Sequence, residues 1–95
     1  MSGHAANRKI IDNRTIEAAI EAVRSKLFWR LVDKGYGTFA SRHELNGILD
    51  EEFEELKKAS HDNKGSFASY SDELHDIAVA CIFGIACINS GGLDW

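Results

Sequence analysis

The stretch Ser41-Arg42-His43-Glu44-Leu45-Asn46-Gly47-Ile48-Leu49-Asp50-Glu51-Glu52-Phe53-Glu54-Glu55-Leu56-Lys57-Lys58-Ala59 decides the fold. Ser41 followed three residues later by Glu44 is a capping box, in which side chains satisfy backbone N–H groups that a first helical turn leaves bare. At about 100° per residue, Leu45, Ile48, Leu49 and Leu56 fall on one face, as in an amphipathic helix. Glu52 lies near the centre of that face, three residues after Leu49 and four before Leu56. A carboxylate there is stripped of water, and an uncompensated buried charge is costly enough to demand a partner or to neutralise. Glu55 lies on the rim of the same face one turn on. Glu51 shares that flank with more exposure, and Glu54 points away.

Outward in both directions the chain gives two more helices. Upstream, Ile16, Ile20, Val23, Leu27 and Leu31 recur at steps of four, three, four and four, a second amphipathic pattern. Asp12, Asn13 or Thr15 can cap it, and Gly35 and Gly37 end it near Lys34. Residues 35–40 (GYGTFA) form a loop, and residues 1–12 a flexible tail without periodicity. Downstream, the polar residues 60–66 form the next loop. Ser69 or Ser71 can cap a third helix that runs through Ile88 and stops at residues 89–92. Gly84 within it marks either the close approach of a neighbouring helix or a tolerated cost of about 1 kcal/mol. The tail Leu93-Asp94-Trp95 can dock Trp95 on the core or on another subunit.

The composition agrees with this reading. Among 95 residues, 44% are apolar and 27% charged, proline is absent, and Cys81 and Cys87 are not spaced as a CxxC unit. These are the proportions of one small globular helical domain. A net charge of −4 without a basic stripe argues against a nucleic-acid polymer as partner. The longest apolar run, residues 77–88, is too short to span a bilayer, and residues 1–9 lack the apolar core of a secretory signal. Reduced cysteines and no leader point to the cytoplasm. The fold expected is all-α, an antiparallel bundle of three main helices over residues 13–95, completed by oligomerisation because so small a core is marginal.

The third helix repeats the placement of acids in the second. Glu73 and Asp76 share a face that continues as Ala80, Phe83 and Cys87. Acids on two inward faces of consecutive antiparallel helices can meet, and they repel strongly unless a cation sits among them. Oxygen donors without His or Cys suit Mg²⁺, Mn²⁺ or Ca²⁺. A blander account is available for each residue. Clustered glutamates often mark only a solvated helix face, and acids near the start of a helix favour its dipole.

The spacing Glu51-Glu52-x-x-Glu55, then seventeen residues, then Glu73-x-x-Asp76, resembles the EExxE…ExxD pattern of the MazG-like all-α nucleoside triphosphate pyrophosphohydrolases. Residues 39–44 (FASRHE), Gly47-Ile48-Leu49, Glu55-Leu56 and Glu73-Leu74 with Ile77-Ala78-Val79-Ala80 are similar to its flanking context, so the resemblance covers about residues 14–89. By it, Glu52, Glu55, Glu73 and Asp76 match metal-binding positions, with Mg²⁺ as the expected ion and Mn²⁺ as its substitute. Glu51, the leading acid, is a candidate for supporting the metal shell or activating water, which makes Glu51, Glu52 and Glu55 the catalytic candidates. The reaction implied is attack of water on the α-phosphorus of a (deoxy)nucleoside triphosphate, releasing the monophosphate and pyrophosphate. The resemblance also implies a homodimer or homotetramer; the chain departs from it in showing three helices where the family has a four-helix unit, and a catalytic residue on a missing helix would leave a protein that binds nucleotide without cleaving it.

Such a substrate would want cations and flat rings. Lys34, Lys58 and Lys64 flank the acid helices and their loops and are candidates for the phosphates, although most lysines simply keep their charge in water. Tyr36 and Phe39, on a glycine-containing loop, are candidates for stacking on a base. Phe28 and Trp29 have helical spacing that suits a core. The competing reading is a non-catalytic helical module that binds a nucleotide or another protein. A carboxylate di-iron bundle is disfavoured, because no His follows a Glu at the required spacing.

Overall fold

In the computed structural model, which describes residues 8–61 and 67–93, the chain forms three helices in the order α1 (Asn13–Lys34), α2 (Arg42–Ser60) and α3 (Ala68–Asn89). No strand occurs among the described residues, and none of the helices is long and apolar enough to cross a membrane. Residues 8–12 carry no regular structure. The expected roles of Lys64 and Trp95, like much of the N-terminal tail, lie outside the described residues.

Local chemistry sets most of the helix ends. Asp12 caps α1, its Oδ1 accepting from the Thr15 N–H at 2.8 Å and the Thr15 hydroxyl at 2.7 Å. These hydrogen bonds hold the Asp12 carboxyl below its ordinary pKa. Gly35 ends α1 with φ +92°, a conformation that an L side chain would resist, and its N–H donates to the Leu31 carbonyl at 2.8 Å. Ser41 Oγ accepts from the Glu44 N–H at 3.2 Å. Glu44 reaches back to the Ala40 N–H at 2.6 Å, one residue beyond the N–H that a standard capping box would satisfy.

The start of α3 departs from expectation. Phe67 occupies the cap position and no side chain bonds there, while Ser69 and Ser71 already lie within the helix. The Ser71 carbonyl instead accepts from His75 Nδ1 at 2.7 Å, one turn on, so His75 is committed to α3 itself.

α3 is the centre of the molecule. α1 and α2 both pack on it and make no packed interface with each other. Leu45 of α2 lies against Gly84, where an added Cβ would fall 2.7 Å from Leu45 Cδ2. Of the two readings of Gly84, the structure supports close helix approach. α2 runs antiparallel to α3, since Leu45 near its start meets Gly84 late in α3 while Glu52 lies beside Glu73 and Asp76. α1 runs parallel to α3: Lys26 reaches Asp72 and Asp76 near the start of α3, and Phe39, just after α1, meets Phe83.

The result is an open three-helix arrangement with a cleft between α1 and α2, floored by α3. Because Lys26 in the second half of α1 is already level with the start of α3, the first half of α1 extends past it. Ile16 and Ile20, expected on the core face of α1, are therefore exposed, and only Val23, Leu27 and Leu31 of that stripe are covered. Phe28 and Trp29, whose spacing suited a core, are exposed too. The buried apolar residues among those described are Leu27, Val79, Ala80 and Cys87.

Candidate functional site

The cleft places three acids together. Glu52 comes from the middle of α2, and Glu73 and Asp76 come from the second and third turns of α3. Each can offer one carboxylate oxygen such that the three oxygens lie within 4.8 Å of one another. The antiparallel pairing of α2 and α3 produces this, because it sets the acid late in one apolar face against the acids early in the other. All three side chains are half-buried.

The electrostatics of the three differ. Loss of water, then the carboxylates of Asp76 and Glu73, push the Glu52 pKa above the ordinary glutamate value, with Arg30 pulling weakly the other way. Burial would raise Asp76 as well. Hydrogen bonds from Lys26 and Arg30, and the charges of both, outweigh it and hold the Asp76 pKa below the usual aspartate value. Asp76 Oδ1 accepts from Lys26 Nζ at 2.8 Å and from Arg30 Nη2 at 2.9 Å. One acid in the group is thus kept ionised by bases, while another is pressed towards its neutral form.

Lys26 and Arg30 are the site residues that the sequence reading missed. Their signal was present: two bases four residues apart flank the Leu27 face of α1, beside a centrally placed Glu52 that required compensation.

The remaining candidates divide clearly. A cavity of about 380 Å³ fills the cleft, and Arg30, Lys34, Phe39, Glu52, Asp76 and Phe83 are among its lining residues. Phe39 is fixed there by an edge-on contact with Phe83, ring centres 5.3 Å apart. Lys34 and Phe39 are therefore beside the acids. Tyr36 is 64% exposed and does not line the cavity. Glu51 and Glu55 face solvent on α2, and Glu55 pairs with Lys58 at 3.6 Å. The expected four-carboxylate set is thus three close acids with Glu55 outside their reach as the side chains stand.

The donor set fits a hard divalent cation. It consists of carboxylate oxygens alone, and two oxygens sharing Mg²⁺ at about 2.1 Å can be no more than roughly 4.2 Å apart, against the 4.8 Å within which these three lie. Zinc is a poor match, with no His or Cys in the group. Lys26 and Arg30 compete for the same Asp76 oxygen. Compared with protein-family models, with curated proteins and with solved structures, the chain matches none.

Proposed function

We propose that this protein is a divalent-metal-dependent nucleoside triphosphate pyrophosphohydrolase that acts in the cleft between α1 and α2. The observation that carries the reading is the convergence of Glu52, Glu73 and Asp76, two of which, Glu52 and Asp76, line a cavity that also bears cationic and aromatic side chains. The EExxE…ExxD spacing supports the same conclusion from the sequence side. Glu52, Glu73 and Asp76 would hold Mg²⁺ or Mn²⁺, which supplies charge neutralisation for a triphosphate and a lowered pKa for bound water.

The chain's own side chains account for the rest. Arg30 and Lys34 reach into the cavity from one wall, opposite Glu52 on the other, and suit the negative oxygens of a phosphate chain. Phe39, held by Phe83, offers a ring for a base to stack on. Glu51 and Glu55 face solvent on either side of Glu52, so a part in accepting a proton rests on the sequence motif alone. Association into a dimer or tetramer in the cytoplasm belongs to the same reading.

The test is release of pyrophosphate, rather than orthophosphate, from a panel of ribo- and deoxyribonucleoside triphosphates with Mg²⁺ or Mn²⁺. Glu52→Gln should lower turnover by about a hundredfold or more with the helical content unchanged. No turnover of any nucleotide would end the enzymatic proposal.

A second reading has its own support. Asp76 is already neutralised from within by Lys26 and Arg30, as in a structural ion-pair network that needs no metal. A helical module that binds partners without catalysis would have this feature. It requires that titration calorimetry detect no Mg²⁺ or Mn²⁺ binding, whereas the pyrophosphohydrolase requires binding that Asp76→Asn weakens.

A further inference from the structure

One edge of α1 carries three bases, each a turn from the next. Lys26, Arg30 and Lys34 follow at steps of four, a row about 12 Å long at a rise of about 1.5 Å per residue. The first two converge on one atom of α3, since Asp76 Oδ1 accepts from Lys26 Nζ at 2.8 Å and from Arg30 Nη2 at 2.9 Å. Lys34 pairs with no acid among the described residues, and neither Glu52 nor Glu73 forms an ion pair there. Two positive charges are therefore committed to one of three neighbouring acids, and to a single oxygen of it.

That oxygen has no room for a third partner. A carboxylate offers about four acceptor positions over its two oxygens, and two donors already fill those of Oδ1. A divalent cation approaching Glu52, Glu73 and Asp76 also meets two positive charges and is repelled by both. The bases can give way. Their side chains are 31% and 39% exposed against 18% for Asp76, so both have a path into water, and partly solvated pairs are weak. Arg30 already lines the cavity beside Lys34, and Lys26 swings on a flexible stem one turn away. A row of cations along one wall suits a chain of phosphates, which gives Lys26 and Arg30 new partners as they leave Asp76.

We propose that Lys26 and Arg30 occupy Asp76 in place of a metal ion and pass from it to the phosphates of the substrate as the ion enters. Resting on the metal-dependent reading above, this exchange adds Lys26 to the residues that meet the substrate and sets the form in which the substrate is taken. Asp76 trades two bases for the ion, and the bases trade Asp76 for phosphate, so no charge is left without a partner. The ion alone offers the bases nothing and binds poorly. The complex of ion and triphosphate supplies both sides of the exchange and is taken up as a unit. By linkage, ion and phosphate each strengthen the binding of the other.

The experiment titrates Mn²⁺ alone into the full chain by calorimetry. Lys26→Met and Arg30→Met should each bind Mn²⁺ at least about tenfold tighter than the native chain, because a competitor for Asp76 is gone. Lys34→Met removes the same charge from the same row without touching Asp76, and should change the affinity by less than about threefold. The complex of Mn²⁺ with inorganic triphosphate should bind Lys26→Met and Arg30→Met more weakly than the native chain. One substitution then moves two affinities in opposite directions, which a loss of structure would not do. On the native chain, saturating Mn²⁺ at constant ionic strength should raise acetylation of Lys26 by acetic anhydride at least about threefold, read by mass spectrometry against Lys57, since the amine leaves its carboxylate. This labelling decides the matter if the variants do not fold. Mn²⁺ bound equally by the native chain and both variants, an equal gain for Lys34→Met, or unchanged labelling of Lys26 overturns the exchange and leaves the metal site standing. Absence of Mn²⁺ binding by the native chain and every variant overturns both.

Discussion

Where α2 meets α3, a Cβ on Gly84 would stand 2.7 Å from Leu45 Cδ2. Where α1 meets α3 near its start, two bases reach a single carboxylate oxygen of Asp76. The first contact is held by shape, the second by charge around Leu27. Close packing is lost abruptly when volume changes, whereas partly solvated ion pairs respond gradually to pH and salt. α2 thus meets α3 by close packing at Gly84, and α1 meets it through buried Leu27 and two ion pairs. The acids come from α2 and α3 and Lys26, Arg30 and Lys34 from α1, so a ligand that draws on both would tie α1 to the other two helices.

The largest effect should come from filling the closest approach. Gly84→Leu forces several carbons into space occupied by Leu45 and should cost about 3 kcal/mol by chemical denaturation. Gly84→Ala is the control. The obstructing atom is the mobile end of Leu45, and Ala is worth up to about 1 kcal/mol more than Gly inside a helix, so the change should be near neutral. Equal losses for both would mean that the approach is held by backbone rather than by side-chain shape.

Next comes the loop that joins α1 to α2. Phe39→Ala removes a half-buried ring from Phe83 and should cost about 1.5 kcal/mol, less than a fully buried phenylalanine. Tyr36→Ala, three residues earlier and exposed, should stay within about 0.5 kcal/mol. If the proposed site is right, Phe39→Ala should also raise KM for a nucleotide while Tyr36→Ala does not.

The polar contact of α1 should be weaker still. Asp76→Asn leaves Lys26 and Arg30 without their carboxylate, and since both bases are partly in water the loss should be about 1 kcal/mol. Asp76 has a lowered pKa in the fold, so the unfolded chain takes up a proton first as pH falls. The stability it lends is complete above the ordinary aspartate range near 4 and is lost as pH drops through its lower folded value. A pH series of denaturant midpoints should show this acid-side loss, and Asp76→Asn should flatten it.

How much of this was legible beforehand follows the same division. The helices and their order were readable from Ser41 with Glu44, from Gly35, and from the steps of three and four in each apolar stripe, all of which are local chemistry. The facing of Glu52 towards Glu73 and Asp76 was readable because α2 and α3 are consecutive and antiparallel, which constrains what can meet. Ile16 and Ile20 misled, since periodicity shows which residues share a face but not how far a neighbouring helix extends along it. Lys26 and Arg30 were missed for a related reason. A base beside an apolar stripe is ordinary on any helix, and only the parallel placement of α1 on α3 aims these two at Asp76.

The smallest effect is the most telling, because its sign separates a site from a scaffold. Glu52 has its pKa raised by burial and by two neighbouring carboxylates, so the fold holds its charged form less favourably than the unfolded chain does. Ionisation of Glu52 therefore costs stability, and this cost grows as pH rises from the ordinary glutamate value through the raised one. Glu52→Gln removes the charge at nearly constant shape. Without divalent cation at neutral pH it should leave the chain a few tenths of a kcal/mol more stable, which Tm under low salt can resolve. If the proposed metal site is right, the order should reverse with Mg²⁺, because binding the ion would stabilise the native protein and the variant lacks a ligand. A Glu52→Gln chain that is less stable than the native one without metal, and no different with it, would make Glu52 a packing residue rather than a metal ligand.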